Sequence, residues 1–219
     1  IPNCYFTRFK IINSPNSLGG TFLVAIKVGY REDAISQEND KIILYKLESD
    51  DVWAQIGQDI DGEAIGDKSG ESVSINSAGN IVAIGAPYAS GSGHVRVYEN
   101  KGGTWTKIGQ DIDREAESDR SGHSVSLNSS GNIVAIGAPG NNDNGEYSGH
   151  VRVYQYQSAL DTWTKIGQDI DGKAEGDFSG QSVSLNSDGN ILAIGSPYTK
   201  ETVLGDVGYD IGHVRIFEY

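Results

Sequence analysis

Three stretches of this 219-residue chain are near copies of one another, and repetition at a regular interval constrains a fold more than any other sequence feature. The copies run from Trp53 to Tyr98, from Trp105 to Tyr154 and from Trp163 to Phe217. Each opens on a Trp three residues ahead of Ile-Gly-Gln, passes through Ser-Val-Ser and Ala-Ile-Gly segments, and closes on Gly-His-Val-Arg. The tryptophans stand 52 and then 58 residues apart. From each Trp through the Ala-Ile-Gly motif the copies align without a gap. The length then changes: five residues (88–92) in the first, nine (140–148) in the second, fourteen (198–211) in the third. Length varies where chain leaves a packed scaffold, so these segments are expected to be loops on one common face.

Within each copy four short runs, such as Trp105–Ile108, Ser124–Asn128, Ile133–Gly137 and His150–Tyr154, are rich in β-branched and aromatic residues and bounded by Gly, Asn, Asp or Ser. His-Val-Arg-Val-Tyr alternates, as a strand with two different faces does. Ile-Val-Ala-Ile-Gly is apolar on both faces, as a strand between neighbouring sheets should be. Nothing in the repeat has sustained helical periodicity. Four strands every ~50 residues predict an all-β fold, a β-propeller of blade-like antiparallel sheets.

The first fifty residues fit as a diverged copy, with 9–28 aligning on the Ser-Val-Ser to Ala-Ile-Gly stretch and Lys41–Leu47 on the His-Val-Arg strand. The chain then forms one domain, 1–219, of four blades covering roughly 5–58, 70–110, 122–168 and 180–219. The last blade lacks its Trp-bearing fourth strand. A closed four-blade ring is the favoured arrangement; a piece of a larger ring, or completion by a second chain, are the alternatives.

The repeated string Ser-Gly-x-Ser-Val-Ser, followed by Gly-Asn, Ala-Ile-Gly-Ala-Pro and Gly-His-Val-Arg, resembles the FG-GAP repeat that builds the β-propeller of integrin α-chain ectodomains and of many secreted proteins. Ser69-Gly70, Ser121-Gly122 and Ser179-Gly180 stand where that family has Phe-Gly. Gly85-Ala86-Pro87, Gly137-Ala138-Pro139 and Gly195-Ser196-Pro197 stand for Gly-Ala-Pro. The resemblance implies the propeller and an extracellular or cell-surface setting. It does not extend to the family's calcium loop. The turns here, such as Asn128-Ser129-Ser130-Gly131-Asn132, are too short and too poor in carboxylates for a cation that takes 6–8 oxygens.

Charge excludes one class of partner. With 17 Lys and Arg against 30 Asp and Glu, the net charge of −13 repels nucleic acid and anionic membrane surfaces. No apolar run is long enough for a membrane span. Cys4 is the only cysteine, so no intramolecular disulfide forms. The start at Ile1 reads as a processed product or an excised piece.

Repeated polar residues are read as scaffold. Asp59, Asp61 and Asp67 recur as Asp111, Asp113 and Asp119 and as Asp169, Asp171 and Asp177, in turns that use Asp and Ser to hold backbone amides. The His94/Arg96, His150/Arg152 and His213/Arg215 pairs are expected to meet those carboxylates and tie neighbouring blades. The tryptophans are expected to pack. The unequal loops carry the candidate ligand-binding residues: Tyr88, then Asn142, Asp143, Asn144 and Tyr147, then Tyr198, Glu201, Asp206, Tyr209 and Asp210. No catalytic motif is present, so no catalytic or metal-ligating residue is assigned and no cofactor is expected, calcium being the single candidate ion.

The expectation is therefore a non-enzymatic recognition or adhesion module that binds a protein or a glycan through its loops. Two alternatives stand beside it. One is a carbohydrate-active enzyme whose acidic residues gather near the propeller axis; the other is a structural module that self-associates through its incomplete last blade.

Overall fold

In the computed structural model the described residues are 4–13, 22–30, 41–47, 53–91, 93–201 and 209–219. They form four antiparallel sheets in chain order. Sheet I contains β1 (Cys4–Asn13), β2 (Phe22–Tyr30), β3 (Lys41–Leu47) and β4 (Trp53–Gln55), with β5 (Ile60–Asp61) also pairing β3. Sheet II contains β6 (Ser72–Ile75), β7 (Ile81–Ala86), β8 (His94–Lys101) and β9 (Thr104–Lys107), with β10 (Ile112–Asp113) also on β8. Sheet III is β11 (Ser124–Leu127), β12 (Ile133–Ala138), β13 (His150–Gln157) and β14 (Thr162–Asp171). Sheet IV has three strands, β15 (Ser182–Leu185), β16 (Ile191–Ser196) and β19 (His213–Glu218). Before β19 the chain makes a small hairpin of β17 (Lys200–Glu201) and β18 (Tyr209–Asp210).

Register is the same in three sheets: Ile84 faces Arg96, Ile136 faces Arg152 and Ile194 faces Arg215. Each Asn at the end of a Ser-Val-Ser strand closes the turn that sets this register. Asn128 Oδ1 accepts from the Ile133 amide at 3.0 Å, and Asn76 and Asn186 do the same for Ile81 and Ile191. Asn128 is buried, so the Asn-Ser-Ser triplet at 128–130 is a turn device.

Successive sheets pack on one another. Ile42 and Leu44 of sheet I meet Ile75, Val82, Ile84 and Trp105 of sheet II in one core cluster. Val95 and Val97 of sheet II meet Val125, Leu127, Val134, Ile136 and Trp163 of sheet III in another. Ala135 and Val151 of sheet III meet Leu192 and Ile194 of sheet IV in the third. The serines of the Ser-Val-Ser strands join these interfaces. Ser74 Oγ accepts from the Leu127 amide and Ser126 Oγ from the Leu185 amide, while Ser72 and Ser124 donate to the carbonyls of Gly122 and Gly180. A buried hydroxyl is tolerated there because each has a partner in the neighbouring sheet.

Trp105 and Trp163 are buried, each donating its ring Nε1 to the carbonyl of the Ile-Gly-Gln segment before it, at Ile56 (2.8 Å) and Ile108 (3.1 Å). The tryptophans therefore pack, as their placement predicts, except that Trp53 is 38% exposed. The far side of sheet IV is also open. Val214 and Ile216 are 68% and 71% exposed, whereas Val95 and Val151, in the position of Val214, are fully buried. Among the described residues no sheet covers that face and no strand pairs the outer edge of β19, so closure into a ring is not shown.

Candidate functional site

Each His-x-Arg strand places its imidazole and guanidinium beside the acidic linker that enters the same sheet. In sheet II, Arg96 Nη2 donates to Asp111 Oδ2 at 2.6 Å and also pairs with Glu63. In sheet III, Arg152 pairs with Glu115 at 3.2 Å and donates to the Asp113 carbonyl at 2.9 Å, while Lys165 holds Asp169 at 2.8 Å. In sheet IV, Arg215 donates to the Asp171 carbonyl and to Ser179 Oγ. The last linker Asp of each triplet caps its turn: Asp119 Oδ2 accepts from Ala116 N, and Asp177 Oδ2 from Lys173 N and Ala174 N. These contacts recur from sheet to sheet and brace the scaffold.

The hydrogen bond from Arg96 pulls the Asp111 carboxyl down to about 2 from a usual 3.8, Lys107 adding to it and burial opposing. A carboxyl whose folded pKa is depressed stabilises the fold above its unfolded value, and that contribution drains away as pH falls from about 4 through 2. Asp111→Asn is expected to lower stability at pH 7 by about 1–2 kcal/mol, less than the full shift implies because the side chain is 24% exposed. Urea titrations should show the gap to wild type narrowing as the pH is lowered toward 3. A gap independent of pH would contradict the assignment.

The copies of the motif in sheets II and III differ in the loop ahead of the histidine. His150 begins β13 opposite Asp171 of β14, just as His94 begins β8 opposite Asp113 of β10. Only the second copy has the nine-residue loop, and that loop brings Asp143 to His150, with Oδ2 4.0 Å from Nδ1. Asn141, fully buried, fixes the loop: its Nδ2 donates to Asp119 Oδ1 and to Asp143 Oδ2, and its Oδ1 accepts from the Asp143 amide. His150 is fully buried, and neither ring nitrogen has a hydrogen-bond partner. Asp171 Oδ1 is likewise buried and unpartnered. Burial, reinforced by the Arg152 charge, lowers the His150 pKa against the pull of Asp119, Asp169 and Glu115. The imidazole is therefore neutral at pH 7, with a lone pair to offer.

Among the described residues, three groups of carboxylates and imidazole have ligand atoms within 4.8 Å of one another: Glu63/His94/Asp111, Glu115/His150/Asp169 and Asp143/His150/Asp171. The first two are neutralised by Arg96 with Lys107 and by Arg152 with Lys165. The third is built at the point where the repeat is broken.

Beside it lies an aromatic platform. Tyr147, on the loop that carries Asp143, stacks flat on Phe178 at 5.3 Å, and Tyr198 meets Phe178 edge-on at 5.2 Å. Phe178 lies on the linker that begins after Asp171 and Tyr147 on the loop that carries Asp143, while Tyr198 comes from the segment after β16. Tyr147 and Tyr198 are exposed.

The sequence-predicted residues divide accordingly. Asp143, Tyr147 and Tyr198 come together here. Asn142 and Asn144 serve the loop itself, the first accepting from the Tyr147 amide and the second donating to the Gly172 carbonyl. Tyr88 is exposed under Lys68, 4.3 Å from its ring centre, on the shorter loop of sheet II. Glu201, Tyr209 and Asp210 belong to the β17–β18 hairpin, where Glu201 faces Tyr209 and Lys200 faces Asp210, and Asp206 lies outside the described residues. His150, Asp171 and Phe178 were not anticipated as site residues, the first two because they sit in positions that repeat. The available signal was Asp143, seven residues ahead of one copy of a histidine that otherwise looks identical in all three.

No protein-family model matches the chain, and no curated protein sequence matches it. Solved structures do match its fold. A candidate 6-phosphogluconolactonase of Bacteroides uniformis superposes with a TM-score of 0.54 at 13% identity, over 94% of this chain and 56% of that one. Another, from Bacteroides fragilis, gives 0.52 at 13% identity, over 98% of this chain and 58% of that one. An acylaminoacyl peptidase gives 0.50 at 9% identity, over 90% of this chain and 28% of that one. The chain thus spans little more than half the length of the lactonase structures. The likeness establishes an all-β, propeller-type fold.

It also overturns the expectation of a non-enzymatic recognition or adhesion module, since the first two folds it matches belong to candidate enzymes. The physical reason is that a propeller assembles polar groups from separate sheets, so the absence of a linear catalytic motif carries no weight.

Proposed function

We propose that the chain is a carbohydrate-active hydrolase that opens a sugar-derived ester or lactone, with its centre at Asp143, His150 and Asp171. The observation that carries this reading is the junction itself: two carboxylates and a buried neutral imidazole beside the Tyr147–Phe178–Tyr198 platform. Aromatic faces hold the apolar C–H face of a sugar ring. Carboxylate and neutral imidazole accept the proton of an attacking water, a role worth about 10²–10⁴ in rate. Asp143, whose side chain is 60% exposed, stands at the mouth with His150 behind it. The likeness to candidate lactonases supports the same reaction class.

Charge selects among lactones. The chain carries −13, and the nearby cations Arg152 and Lys165 are already held by Glu115 and Asp169. A phosphorylated sugar would meet repulsion from that net charge and from the two carboxylates of the site. The substrate is therefore an uncharged aldonolactone such as glucono-δ-lactone. Proton release in a pH-stat, corrected for spontaneous opening, should show turnover of glucono-δ-lactone well above that of 6-phosphogluconolactone. Asp143→Asn should reduce kcat by at least 100-fold, and Tyr198→Ala should raise KM. Turnover absent for both lactones, or unaffected by Asp143→Asn, would overturn the reading.

A further inference from the structure

We infer that Asp143, His150 and Asp171 bind a divalent transition-metal ion of the Zn²⁺ or Mn²⁺ kind. Three observations converge. The first is charge: Asp143 and Asp171 bring two carboxylates to one point with His150, and the neighbouring Arg215 donates to the Asp171 carbonyl and to Ser179 Oγ. Asp143 Oδ2 accepts only a neutral amide bond from Asn141, at 3.1 Å.

The second is the imidazole. His150 is fully buried, both its ring nitrogens lack a hydrogen-bond partner, and Nδ1 is 4.0 Å from Asp143 Oδ2. A buried polar atom without a partner costs about 1–3 kcal/mol, and here Asp171 Oδ1 repeats the deficit. One ion shared by a His150 nitrogen, Asp143 and Asp171 relieves the deficit at the nitrogen that binds it and at the Asp171 carboxylate. Two ligands at ~2.1 Å from a common ion lie no more than about 4.2 Å apart. The ligand atoms, all within 4.8 Å of one another, therefore lie within about 0.6 Å of ligand spacing.

The third is comparison within the chain. His94 has the same place in sheet II and the same facing Asp113, but its loop is five residues long, has no counterpart of Asp143, and leaves the group to Arg96. The internal control lacks the one residue that converts a brace into a site.

The donor set selects the ion. One imidazole and two carboxylates suit Zn²⁺, Mn²⁺ or Fe²⁺, whereas Ca²⁺ takes 6–8 oxygens and gains little from nitrogen. Three protein ligands leave positions for water, whose pKa such an ion lowers toward neutrality. That catalytic consequence rests on the proposed hydrolase reading; the binding does not.

Isothermal titration of the metal-stripped chain with Zn²⁺ and, separately, Mn²⁺ is expected to show one site. Asp143→Asn and His150→Asn should each weaken it at least 30-fold, His94→Asn should leave it unchanged, and Ca²⁺ should bind at least 100-fold more weakly. Asp143 is exposed, so its variant reports on the site even if His150→Asn fails to fold. Absence of binding, or equal weakening by His94→Asn, would overturn the inference. Lactone turnover persisting without metal would remove the ion's catalytic role and leave the hydrolase; metal binding without turnover would keep the ion and overturn the hydrolase.

Discussion

Trp163→Ala is expected to destabilise the protein by about 3–5 kcal/mol, the range for removing a buried Trp. The side chain is 3% exposed and lies in the core cluster between sheets II and III. Its Nε1 donates to the Ile108 carbonyl at 3.1 Å. Gln110 clasps its backbone from both sides, Oε1 accepting from the Trp163 amide at 2.9 Å and Nε2 donating to its carbonyl at 2.8 Å. Truncation leaves a cavity against Gly109, where the indole sits so close that an added Cβ would stand 2.6 Å from its Cδ1. At this chain length each kcal/mol is worth roughly 2–4 °C, so the melting temperature should fall by about 6–20 °C. Trp53→Ala, in the matching sequence position but exposed, should cost about 1 kcal/mol or less. Equal losses in the two melts would show that the tryptophans are not seated on the preceding repeat.

That pair of residues also marks what the sequence could and could not disclose. Spacing and alternation placed the strands well. The run anticipated at Ile133–Gly137 is Ile133–Ala138, and that at Ser124–Asn128 is Ser124–Leu127. The last sheet has three strands among the described residues, β15, β16 and β19, where sheets II and III also carry a Trp-bearing strand.

Environment was not legible. The Val of each His-Val-Arg strand is the same residue in the same local sequence, yet Val95 and Val151 are buried and Val214 exposed, since sheets II and III each have a following sheet against that face and, among the described residues, sheet IV has none. The role of the Ser-Val-Ser serines was hidden for the same reason: their partners are backbone atoms fifty or more residues away.

The candidate site failed in the sequence through the same blindness to partners. His94 and His150 are indistinguishable within their motif, and it is an Asp from a loop of unequal length that separates them. Reading repeats as scaffold and loops as function singled out Asp143, Tyr147 and Tyr198, which lie together in the fold. It missed that a loop can recruit a repeated residue.

Everything above depends on each sheet standing face to face against the next, and the closest approach is at the glycine of the Ala-Ile-Gly strand. A Cβ at Gly137 would lie 2.1 Å from the Gly180 carbonyl oxygen at the next sheet, and at Gly85 the same atom would meet Gly122 at 2.0 Å. Neither contact can be relieved by rotating a side chain, so the sheets must part. At Gly195, in the matching position of sheet IV, the nearest atom is the Ser182 hydroxyl at 2.3 Å, which can swing away, and no backbone of a following sheet is within reach among the described residues.

Denaturation of Gly137→Ala and Gly195→Ala side by side is therefore the most direct test. The face-to-face succession predicts a loss of about 3 kcal/mol for Gly137→Ala and less than about 1 kcal/mol for Gly195→Ala. Equal effects, or a harmless Gly137→Ala, would contradict it.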